Sequence, residues 1–396
     1  MNLGLAKVLD RRLGGLAGRI LGGLDRLAEA VRPPRPVVQV RRILIVKFWG
    51  LGNWALLRPV VHDVRRRWPA ARIVIVTLEA NLPLVQDLAD EVLCVRPRGF
   101  VCVLLDLLRG VARLRGNPPD LGLDFEFFSR AGSLLARLAG VRQRVGFRTG
   151  SAGRDDLYTV LVPFRSDAHV ARSFRDLVEA AGVEPGPYRP GGLSPSKAGL
   201  LQIEAAGLGA RPYVVLHPGS GDNFRGRRWS AAGFAAVGRM AREHGHEVVV
   251  TGSRAERALT SEVVAGVGRG AVDLAGRMDV EGLVAVLAGA RALVSNDTGP
   301  VHLASALGVR VLAIYGPNTP RLYGPLEAGS RAFYRSLPCS PCITAANYRS
   351  SRCRIHTCMM AVATGEVCAA LERLLAQDAR AAPNGREGAA CATPPS

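Results

Sequence analysis

A segment of small residues and arginines at 217–229, with the sequence H-P-G-S-G-D-N-F-R-G-R-R-W, has the composition of a phosphate-binding loop. It follows an apolar run, so Ser220 and its glycine neighbours stand at the carboxyl end of a predicted strand, where ligands of open α/β sheets collect. Exposed backbone N–H groups together with Arg225, Arg227 and Arg228 would bind a phosphate. The alternative is an ordinary solvated loop.

A second polar segment, S-N-D-T-G-P-V-H-L-A-S-A-L-G at 295–308, lies between another predicted strand and a predicted helix. Thr298 and the amide of Gly299 would stand at the positive end of that helix, where a diphosphate is stabilised. Asp297 and His302 are polar residues in an otherwise apolar segment. The alternative is that Asp297 caps the helix and His302 is a buried histidine with its hydrogen bonds satisfied.

The segment W-G-L-G-N-W-A matches G-x-G-x-x-A through Gly50, Gly52 and Ala55, after a predicted strand and before a helix. With Glu79 at the end of the next strand, this spacing has the form of a dinucleotide-binding fingerprint. It raises the hypothesis of an NAD-dependent oxidoreductase, in which the glycines admit a pyrophosphate and the carboxylate binds a ribose. A tight turn in any α/β domain explains the same residues.

Four cysteines lie within 20 residues of one another near the carboxyl end: Cys339, Cys342, Cys353 and Cys358. Their thiolates could hold a structural zinc ion or an iron–sulfur cluster, since the segment opens with C-x-x-C. Reduced thiols, or a disulfide that braces a loop, are the alternative.

Apolar runs alternate with helical patterns along most of the chain, which predicts parallel strands covered by helices on both faces. The predicted fold is therefore α/β, with two doubly wound parallel-sheet domains that face each other. A Pro- and Gly-rich stretch at 183–198 is the predicted linker between them. The predicted strands are Arg42–Phe48, Arg72–Thr77, Glu91–Val95, Leu121–Phe125, Tyr213–His217, Glu247–Thr251, Ala292–Ser295 and, as the last, Arg310–Tyr315.

The chain divides into four parts on this interpretation. Residues 1–36 form a basic amphipathic helix, with apolar side chains at intervals of three and four, and a proline-rich linker. Such a helix lies on an anionic membrane surface or packs on the protein itself. Residues 37–190 and 191–376 are the two α/β domains, and 377–396 are an Ala-, Gly- and Pro-rich tail predicted to be disordered.

The 396-residue chain is strongly basic: 52 Lys and Arg against 33 Asp and Glu give a formal net charge of +19. Only Lys7, Lys47 and Lys197 are lysines, so part of the excess reflects an arginine-rich composition. The rest favours phosphorylated substrates and acidic lipids as partners, and no nucleic-acid motif supports a nucleic-acid partner. No apolar run reaches the ~20 residues that cross a bilayer, and the cysteine distribution is typical of a cytoplasmic protein.

The block D-T-G-P-V-H-L-A-S-A-L-G at 297–308, together with H-P-G-S and R-R-W, resembles glycosyltransferase family 9, the ADP-heptose lipopolysaccharide heptosyltransferases and their relatives. The resemblance extends over most of 42–360 and includes I-L-I-V-K-F-W-G-L-G-N-W-A and L-A-G-R-M-D-V-E-G-L. It implies a GT-B architecture, in which two Rossmann-like domains hold the acceptor (37–190) and the nucleotide-sugar donor (191–376). It also implies inverting transfer without an essential metal or further cofactor, and the chain contains no D-x-D metal motif.

The resemblance assigns most of the site residues. Where the family commonly has Lys in the donor loop this chain has Arg227, which keeps the charge that stabilises a departing diphosphate. Met278 would lie beside the nucleotide base, and Glu256 would contact the ribose. The expected donor-binding residues are Ser220, Arg225, Arg227, Glu256, Met278, Asp297, Thr298, Gly299 and His302, with Asp297 also counted as catalytic.

The general base is where this chain departs from the family. The family places an Asp after the loop glycine Gly52, whereas this chain has Asn53, whose amide cannot accept a proton at neutral pH. Glu126 is the hypothesis for a replacement base, with Asp124 beside it and Arg130 available to an anionic acceptor. Either carboxylate could instead be structural. Without any base, the protein would be a non-catalytic nucleotide-sugar binding protein.

The resulting prediction is a transferase that moves a sugar, by resemblance a heptose, from an ADP-linked donor to a lipopolysaccharide core or another lipid-linked glycan. It is expected in the cytoplasm, at the inner face of the inner membrane.

Overall fold

The computed structural model describes residues 15–31, 39–151, 153–209, 211–221, 225–344 and 351–381. The first domain starts with a helix, α1, and then alternates strands with helices. Its strands are β1 Arg42–Val46, β2 Arg72–Leu78, β3 Glu91–Val95, β4 Leu121–Asp124, β5 Gln143–Arg148 and β6 Val160–Pro163. Its helices are α1 Gly15–Val31, α2 Leu51–Arg67, α3 Phe100–Arg115, α4 Ala131–Leu138 and α5 Val170–Glu179, with 3₁₀ turns at Glu79–Leu84 and Asp155–Leu157.

The second domain repeats the alternation. Its strands are β7 Tyr213–His217, β8 Glu247–Val250, β9 Ala271–Asp273, β10 Ala292–Asn296, β11 Val311–Ile314 and β12 Arg331–Phe333. Its helices are α6 Lys197–Ala205, α7 Ala231–Glu243, α8 Arg257–Val267, α9 Val280–Ala288, α10 Gly299–Ala306, α11 Pro320–Tyr323, α12 Thr357–Met360 and α13 Thr364–Ala381, with 3₁₀ turns at Arg225–Arg227 and Arg254–Glu256.

Both sheets have six strands in the same doubly wound order. The first runs β3-β2-β1-β4-β5-β6 and the second β12-β11-β10-β7-β8-β9, and all neighbouring strands are parallel. The order changes direction beside β1 and β7, and ligands of such sheets bind at that point, outside the carboxyl ends of the strands. The predicted fold of two doubly wound parallel sheets is therefore confirmed.

One prediction about the strands is wrong. The strand at Val311–Ile314 was expected to be the last, but β12 follows it and pairs in parallel with β11. With only three residues, β12 is too short for an apolar pattern that could be distinguished from loop.

The start of α2 is fixed by a buried tryptophan. Trp54 is fully buried, and its indole N–H donates to the Lys47 carbonyl at 3.1 Å and to Thr77 Oγ1 at 3.0 Å. Gly50, immediately before α2, has φ 94°, a conformation that favours glycine. These contacts hold the loop between β1 and α2 at the carboxyl end of the first sheet.

The linker between the domains is attached to the first domain over most of its length. Tyr188 donates to the Leu56 carbonyl at 2.9 Å, and Arg58 Nε donates to the Gly192 carbonyl at 2.7 Å. Beyond Gly192, only the segment 193–196 precedes α6, which packs on α9 of the second domain. The linker is thus held to the first domain as far as Gly192, and Leu193 is buried.

The ends of the chain agree only in part with the sequence prediction. Of the helix predicted within 1–36, residues 1–14 and 32–36 lie outside the described residues, and α1 packs against the turn at 155–157. Ile20 and Leu24 of α1 stay 57% and 54% exposed. The prediction of disorder from residue 377 onward is wrong for 377–381, because α13 continues to Ala381. Among the described helices, none has the length and apolar character needed to cross a bilayer.

Candidate functional site

A cavity of about 510 Å³ lies between the two domains at the carboxyl ends of β1, β7, β8 and β10. The first domain contributes to its wall only through the loop before α2 and the first turn of that helix, at 50–53. The second domain contributes the rest of the wall: His217, Ser220, Gly221, Arg227, Thr251, Gly252, Ser253, Glu256, Leu274, Met278, Asp279, Val280, Leu283, Asp297, Thr298, Gly299, Pro300, His302 and Tyr323.

The two domains meet at a pair of glycines. A Cβ atom added to Gly52 would lie 2.7 Å from His302 Cδ2 and 2.9 Å from Gly299 Cα. A side chain at this position would therefore separate the loop from the start of α10. This contact brings the predicted acceptor loop directly against the predicted phosphate-binding helix end.

Arg227 joins the two polar segments of the second domain. Its guanidinium is buried, donates from Nη1 to the Asp297 carbonyl at 2.8 Å and from Nη2 to the Ser220 carbonyl, and lies 3.7 Å from Asp297 Oδ2. Arg225, in the same loop, is exposed and does not line the cavity. The structure therefore separates two arginines that the sequence treated alike.

The amide groups of Ser220 and Gly221 are occupied by a carboxylate. They donate to Glu256 Oε1 at 2.9 and 3.0 Å, and Ser253 donates to Glu256 Oε2 through its amide and its hydroxyl. Burial alone would raise the pKa of Glu256, but the Ser253 hydrogen bonds, neighbouring His217 and the Ser220 amide lower it to about 2. The prediction that these amides are free for a phosphate is therefore wrong in this structure.

The second polar segment has the arrangement expected of an anion site. Thr298 is the N-cap of α10 but makes no capping hydrogen bond through its side chain, and Pro300 in the first turn has no N–H to satisfy. Asp297 Oδ2 accepts a hydrogen bond from Asn318 at 2.8 Å, so Asp297 is not the helix cap. The amide of Gly299 has no acceptor among the described residues and stands at the cavity wall.

The opposite part of the wall is apolar. Met278 lines it together with Leu274, Val280 and Leu283. His302, also in the wall, is nearly buried, and its ring centroid lies 6.3 Å from that of Tyr323. An apolar surface beside an anion site fits a nucleotide, whose base is flat and largely apolar on its faces.

Glu126 lies outside the cavity wall. It is buried, and its Oε1 accepts hydrogen bonds from the Phe48 amide at 2.7 Å and the Trp49 amide at 3.0 Å, with Lys47 Nζ at 3.2 Å. All three donors belong to the segment that leads from β1 into the cavity loop. Glu126 thus positions this loop, while Asn53 lines the cavity and donates to the Trp49 carbonyl at 3.4 Å.

Asp124 and Arg130 are also away from the cavity wall. Asp124 is 2% exposed, and it accepts hydrogen bonds from the Tyr158 hydroxyl at 2.6 Å and the Glu126 amide at 2.9 Å. Burial raises the pKa of Asp124 to about 6. Arg130 donates to Ser151 Oγ at 2.6 Å. Both residues make hydrogen bonds within the first domain and do not line this cavity, and their predicted place on the acceptor side stays a prediction.

Two further motifs take no part in the cavity. Glu79, the expected ribose ligand of a dinucleotide site, forms an exposed ion pair with Arg98 at 3.1 Å. The four clustered cysteines are not joined by disulfides, and Cys358 is the buried member. Among the described residues, no group of three His, Cys, Asp or Glu side chains has the arrangement of a metal site.

Several residues that build the site were missed in the sequence. Asn296 donates to the Pro218 carbonyl at 2.8 Å and accepts from the Trp229 amide at 3.0 Å, so it ties β10 to the loop at 217–229. Asn318 holds Asp297, and Ser253 holds Glu256. Asn296 ends β10, while Ser253 and Asn318 lie in the loops that follow β8 and β11, and a position at the carboxyl end of a strand is the signal that could have identified them.

Comparison with known proteins gives a consistent family assignment. The sequence model of glycosyltransferase family 9 (heptosyltransferase) matches residues 112–350. The chain is 29% identical over 315 residues to lipopolysaccharide heptosyltransferase 1 of Pseudomonas aeruginosa, covering 76% of this chain and 86% of that protein.

Solved structures show the same fold. The structure of ADP-heptose lipopolysaccharide heptosyltransferase II from Escherichia coli has a TM-score of 0.70 at 20% identity, over 86% of this chain and 99% of that one. A family 9 glycosyltransferase from Veillonella parvula has a TM-score of 0.72, also at 20% identity and over the same shares of the two chains. The family match and the shared two-domain fold lead to one conclusion: the chain belongs to glycosyltransferase family 9 and is a glycosyltransferase.

Proposed function

We propose that the protein transfers a heptose from an ADP-linked donor to a lipopolysaccharide core or another lipid-linked glycan, with inversion at the sugar and without an essential metal ion. The observation that carries this proposal is the cavity at the junction of Gly52 with Gly299 and His302. The cavity combines an anion site with an apolar wall, both in the second domain. The loop of the first domain contacts it directly. The names of the similar proteins support heptose and lipopolysaccharide as substrates.

The donor diphosphate lies at the start of α10, next to Arg227. Breaking the bond between sugar and phosphate develops negative charge on the departing diphosphate. The Gly299 amide, the α10 dipole and the buried Arg227 guanidinium stabilise that charge. These groups do the work that a metal ion does in other transferases, and the nucleobase rests on the wall that contains Met278.

Asp297 is the carboxylate best placed to accept the proton of the attacking hydroxyl. Three carboxylates line the described cavity, and Glu256 is saturated by hydrogen bonds from two loops. Asp279 caps α9 by accepting from the Gly282 amide. In contrast, Asn318 and Arg227 both approach Oδ2 of Asp297, and no described residue donates to its Oδ1. Oδ1 is therefore available to accept a proton.

Transfer is tested by incubating the purified protein with ADP-heptose and lipopolysaccharide from a strain that lacks core heptose. We expect release of ADP, an acceptor mass increase of one heptose, the inverted anomeric configuration by NMR, and unchanged turnover in excess EDTA. If ADP-heptose raises the melting temperature but is not consumed with any acceptor, the protein is a nucleotide-sugar binding protein, as the amide of Asn53 would allow. If neither binding nor turnover occurs, the donor assignment is wrong.

Apolar side chains on the outer surface of the first domain support binding to a membrane. Besides Ile20 and Leu24 of α1, helix α3 exposes Phe100, Val101, Leu104, Leu105 and Leu108. The same helix carries Arg109, Arg113 and Arg115. An apolar face next to guanidinium groups fits an anionic lipid surface, so the protein would lie at the cytoplasmic face of the inner membrane.

Co-sedimentation with lipid vesicles tests this contact. Vesicles with phosphatidylglycerol should bind the protein more strongly than vesicles of phosphatidylcholine alone, and the double variant Leu104→Asp, Leu108→Asp should lose this binding. Leu200→Asp is the matched control, since Leu200 is 51% exposed on α6 of the second domain. Equal loss with the control variant would contradict the proposed surface.

A further inference from the structure

Helix α1 lies directly on the turn that joins β5 to β6 in the first domain. Gly15, Gly18 and Gly22, at intervals of three and four, are the buried glycines of α1. A Cβ atom added to Gly18 would collide with the Gly153 carbonyl, and one added to Gly22 would lie 2.6 Å from Asp156 Cβ. The backbones of helix and turn therefore meet at these glycines.

The close contact belongs to one face of the helix. Gly153 of the turn has φ 79°, and a Cβ atom added there would collide with the Gly15 carbonyl. A Cβ atom added to Gly23, in contrast, would have no neighbouring atom within 4 Å. An alanine in place of Gly18 would therefore push α1 away from the turn, whereas an alanine in place of Gly23 would not.

The turn beneath α1 carries Arg154, whose side chain is fully buried. Its guanidinium donates from Nε to the Ser129 carbonyl at 3.0 Å, from Nη1 to the Phe147 carbonyl at 2.5 Å and from Nη2 to the Glu126 carbonyl at 2.5 Å. Its Cζ lies 5.0 Å from the centre of the Tyr158 ring. Arg154 therefore ties the segment that follows β4 to the end of β5.

Glu126 connects Arg154 to the main cavity, which lies between the two domains. While Arg154 holds the Glu126 carbonyl, the Glu126 carboxylate accepts hydrogen bonds from the Phe48 and Trp49 amides. These amides directly precede the cavity loop at 50–53, the part of the first domain that lines the cavity. Two buried side chains thus link the seat of α1 to this loop.

A planar guanidinium suits this position. It donates to three backbone carbonyls in fixed directions, which the ammonium group of a lysine could not do from the same place. Arg154 itself does not line the main cavity. Any effect of Arg154 on a reaction there is therefore exerted through the backbone that it holds.

We propose that Arg154 is a positioning residue for the cavity loop, and that α1 keeps Arg154 in place by seating the turn at 153–156. The effect on turnover rests on the proposed transferase function, whereas the contacts do not. The cavity loop meets the start of α10, where a misplacement of about 1 Å can lower a rate ~100-fold. Displacing α1 should therefore lower kcat and leave ADP binding, which belongs mainly to the second domain, intact.

Fluorine NMR tests this link apart from turnover. With 5-fluorotryptophan incorporated, Trp49 reports on the cavity loop and Trp229 on the second domain, and the resonances are assigned with Trp49→Phe and Trp229→Phe. Gly18→Ala should shift or broaden the Trp49 resonance and leave that of Trp229 in place. Gly23→Ala is the matched control, because it adds the same methyl group to the same helix at an open position, and it should move neither resonance.

Steady-state kinetics at 25 °C separates positioning from stability. Gly18→Ala and Arg154→Lys should each lower kcat about tenfold or more, whereas Gly23→Ala should stay within about twofold of wild type. The double variant Gly18→Ala, Arg154→Lys should lose no more than about twofold beyond Arg154→Lys, because both changes act through one contact. A variant that only lost stability would have a lower melting temperature and the wild-type kcat.

Three results would each overturn the inference: an unmoved Trp49 resonance in Gly18→Ala, a kcat of that variant within twofold of wild type, or additive losses in the double variant. Gly22→Ala gives a second test if Gly18→Ala folds poorly, since its added methyl group meets the Asp156 side chain rather than backbone. It should change the Trp49 resonance and kcat in the same direction.

These results also separate the two proposals. If no heptose is transferred, the proposed reaction fails, and the Trp49 resonance still decides whether α1 acts on the cavity loop. If heptose is transferred and Gly18→Ala behaves as Gly23→Ala does, the reaction stands and α1 does not position the loop.

Discussion

Two buried carboxylates, Glu256 in the wall of the main cavity and Asp124 within the first domain, have pKa values shifted in opposite directions. In the second domain, hydrogen bonds and neighbouring His217 outweigh the effect of burial and lower the pKa of Glu256 to about 2. In the first domain, burial raises the pKa of Asp124 to about 6, despite nearby Arg154 and the Tyr158 hydroxyl. The second domain therefore stabilises the charged form of Glu256 beside the cavity, whereas the surroundings of Asp124 favour its neutral form.

The difference extends to the groups that face the cavity. The second domain presents Arg227, Asp297 and the start of α10, while the first domain presents two glycines, a leucine and the amide of Asn53. Behind that loop, Glu126 contacts Lys47 and accepts hydrogen bonds from the backbone amides of Phe48 and Trp49. The charged groups of the cavity wall therefore belong to the second domain, and the loop of the first domain contributes shape and close approach.

The largest expected effect is that of Asp297→Asn. Turnover should fall ~10²- to 10⁴-fold, because a general base typically contributes that much, while ADP binding in a thermal-shift assay is retained. Asp279→Asn is the matched control, since it lines the same cavity and Asn caps helices as well as Asp does. If Asp297→Asn raises only the KM for the donor and keeps the acidic limb of the pH–rate profile, Asp297 binds the sugar instead.

Arg227→Ala should lower turnover ~10²- to 10³-fold, the range observed when one donor to a developing anion is removed. Arg225→Ala, an exposed change in the same loop, should leave turnover within about twofold, as surface substitutions usually do. Steady-state kinetics with ADP-heptose measures both. Equal losses in the two variants would contradict the distinction between a buried and an exposed arginine.

Glu126→Gln should lower the free energy of unfolding by about 3–5 kcal/mol, because it leaves Lys47 buried without its partner. Urea unfolding measures this change, and the double variant Lys47→Met, Glu126→Gln should recover part of it. The shape of the pH–rate profile should stay that of the wild type. If the variant keeps the stability of the wild type but loses the acidic limb of the pH–rate profile, Glu126 is the general base, and proton transfer takes place in the first domain.

The two carboxylates with opposite pKa shifts predict opposite effects of pH on stability. Since the pKa of Asp124 rises from 3.8 to about 6 on folding, its contribution to stability falls by about 3 kcal/mol as pH rises through that window. The contribution of Glu256 is fully present above pH 4.5 and is lost as pH falls toward 2. The free energy of unfolding is measured in urea at pH 3, 4, 5 and 7 for wild type, Asp124→Asn and Glu256→Gln. Asp124→Asn should lack the fall in stability with rising pH, and Glu256→Gln should lack the loss of stability at low pH. A flat difference between Asp124→Asn and wild type from pH 4 to 7 would contradict the shift.

The smallest expected effect is that of Asn53→Asp. It should change turnover less than about tenfold, because a second carboxylate adds little where Asp297 already accepts the proton. Initial rates at saturating substrates measure it. A rise of two orders of magnitude would show that the acceptor loop is the natural place for the base and that the wild-type protein is impaired.

The fold and the donor segment at 295–308 could be predicted because their signals are local. A strand that ends in polar residues and is followed by Thr-Gly-Pro specifies a helix start within a few residues. The strands β9 and β12, with three residues each, give no such pattern. They form because neighbouring strands offer hydrogen bonds, and this information is absent from their own sequence.

The roles of the buried carboxylates could not be predicted because their partners are distant in sequence. Glu126 is 79 residues from Lys47, and Glu256 is 36 residues from Ser220. A motif shows that a carboxylate follows a strand, but whether it faces a ligand or a backbone amide depends on how the loops fold over one another. The sequence therefore predicts a catalytic Glu126 and a free phosphate loop at Ser220, whereas both residues make internal hydrogen bonds.

The attachment of the linker to the first domain limits the length of chain that joins the two sides of the main cavity. Tyr188 and Arg58 hold the chain to the first domain as far as Gly192, and Leu193 is buried. Such a short connection keeps the second domain at a high effective concentration beside the first, which favours the contact of Gly52 with Gly299.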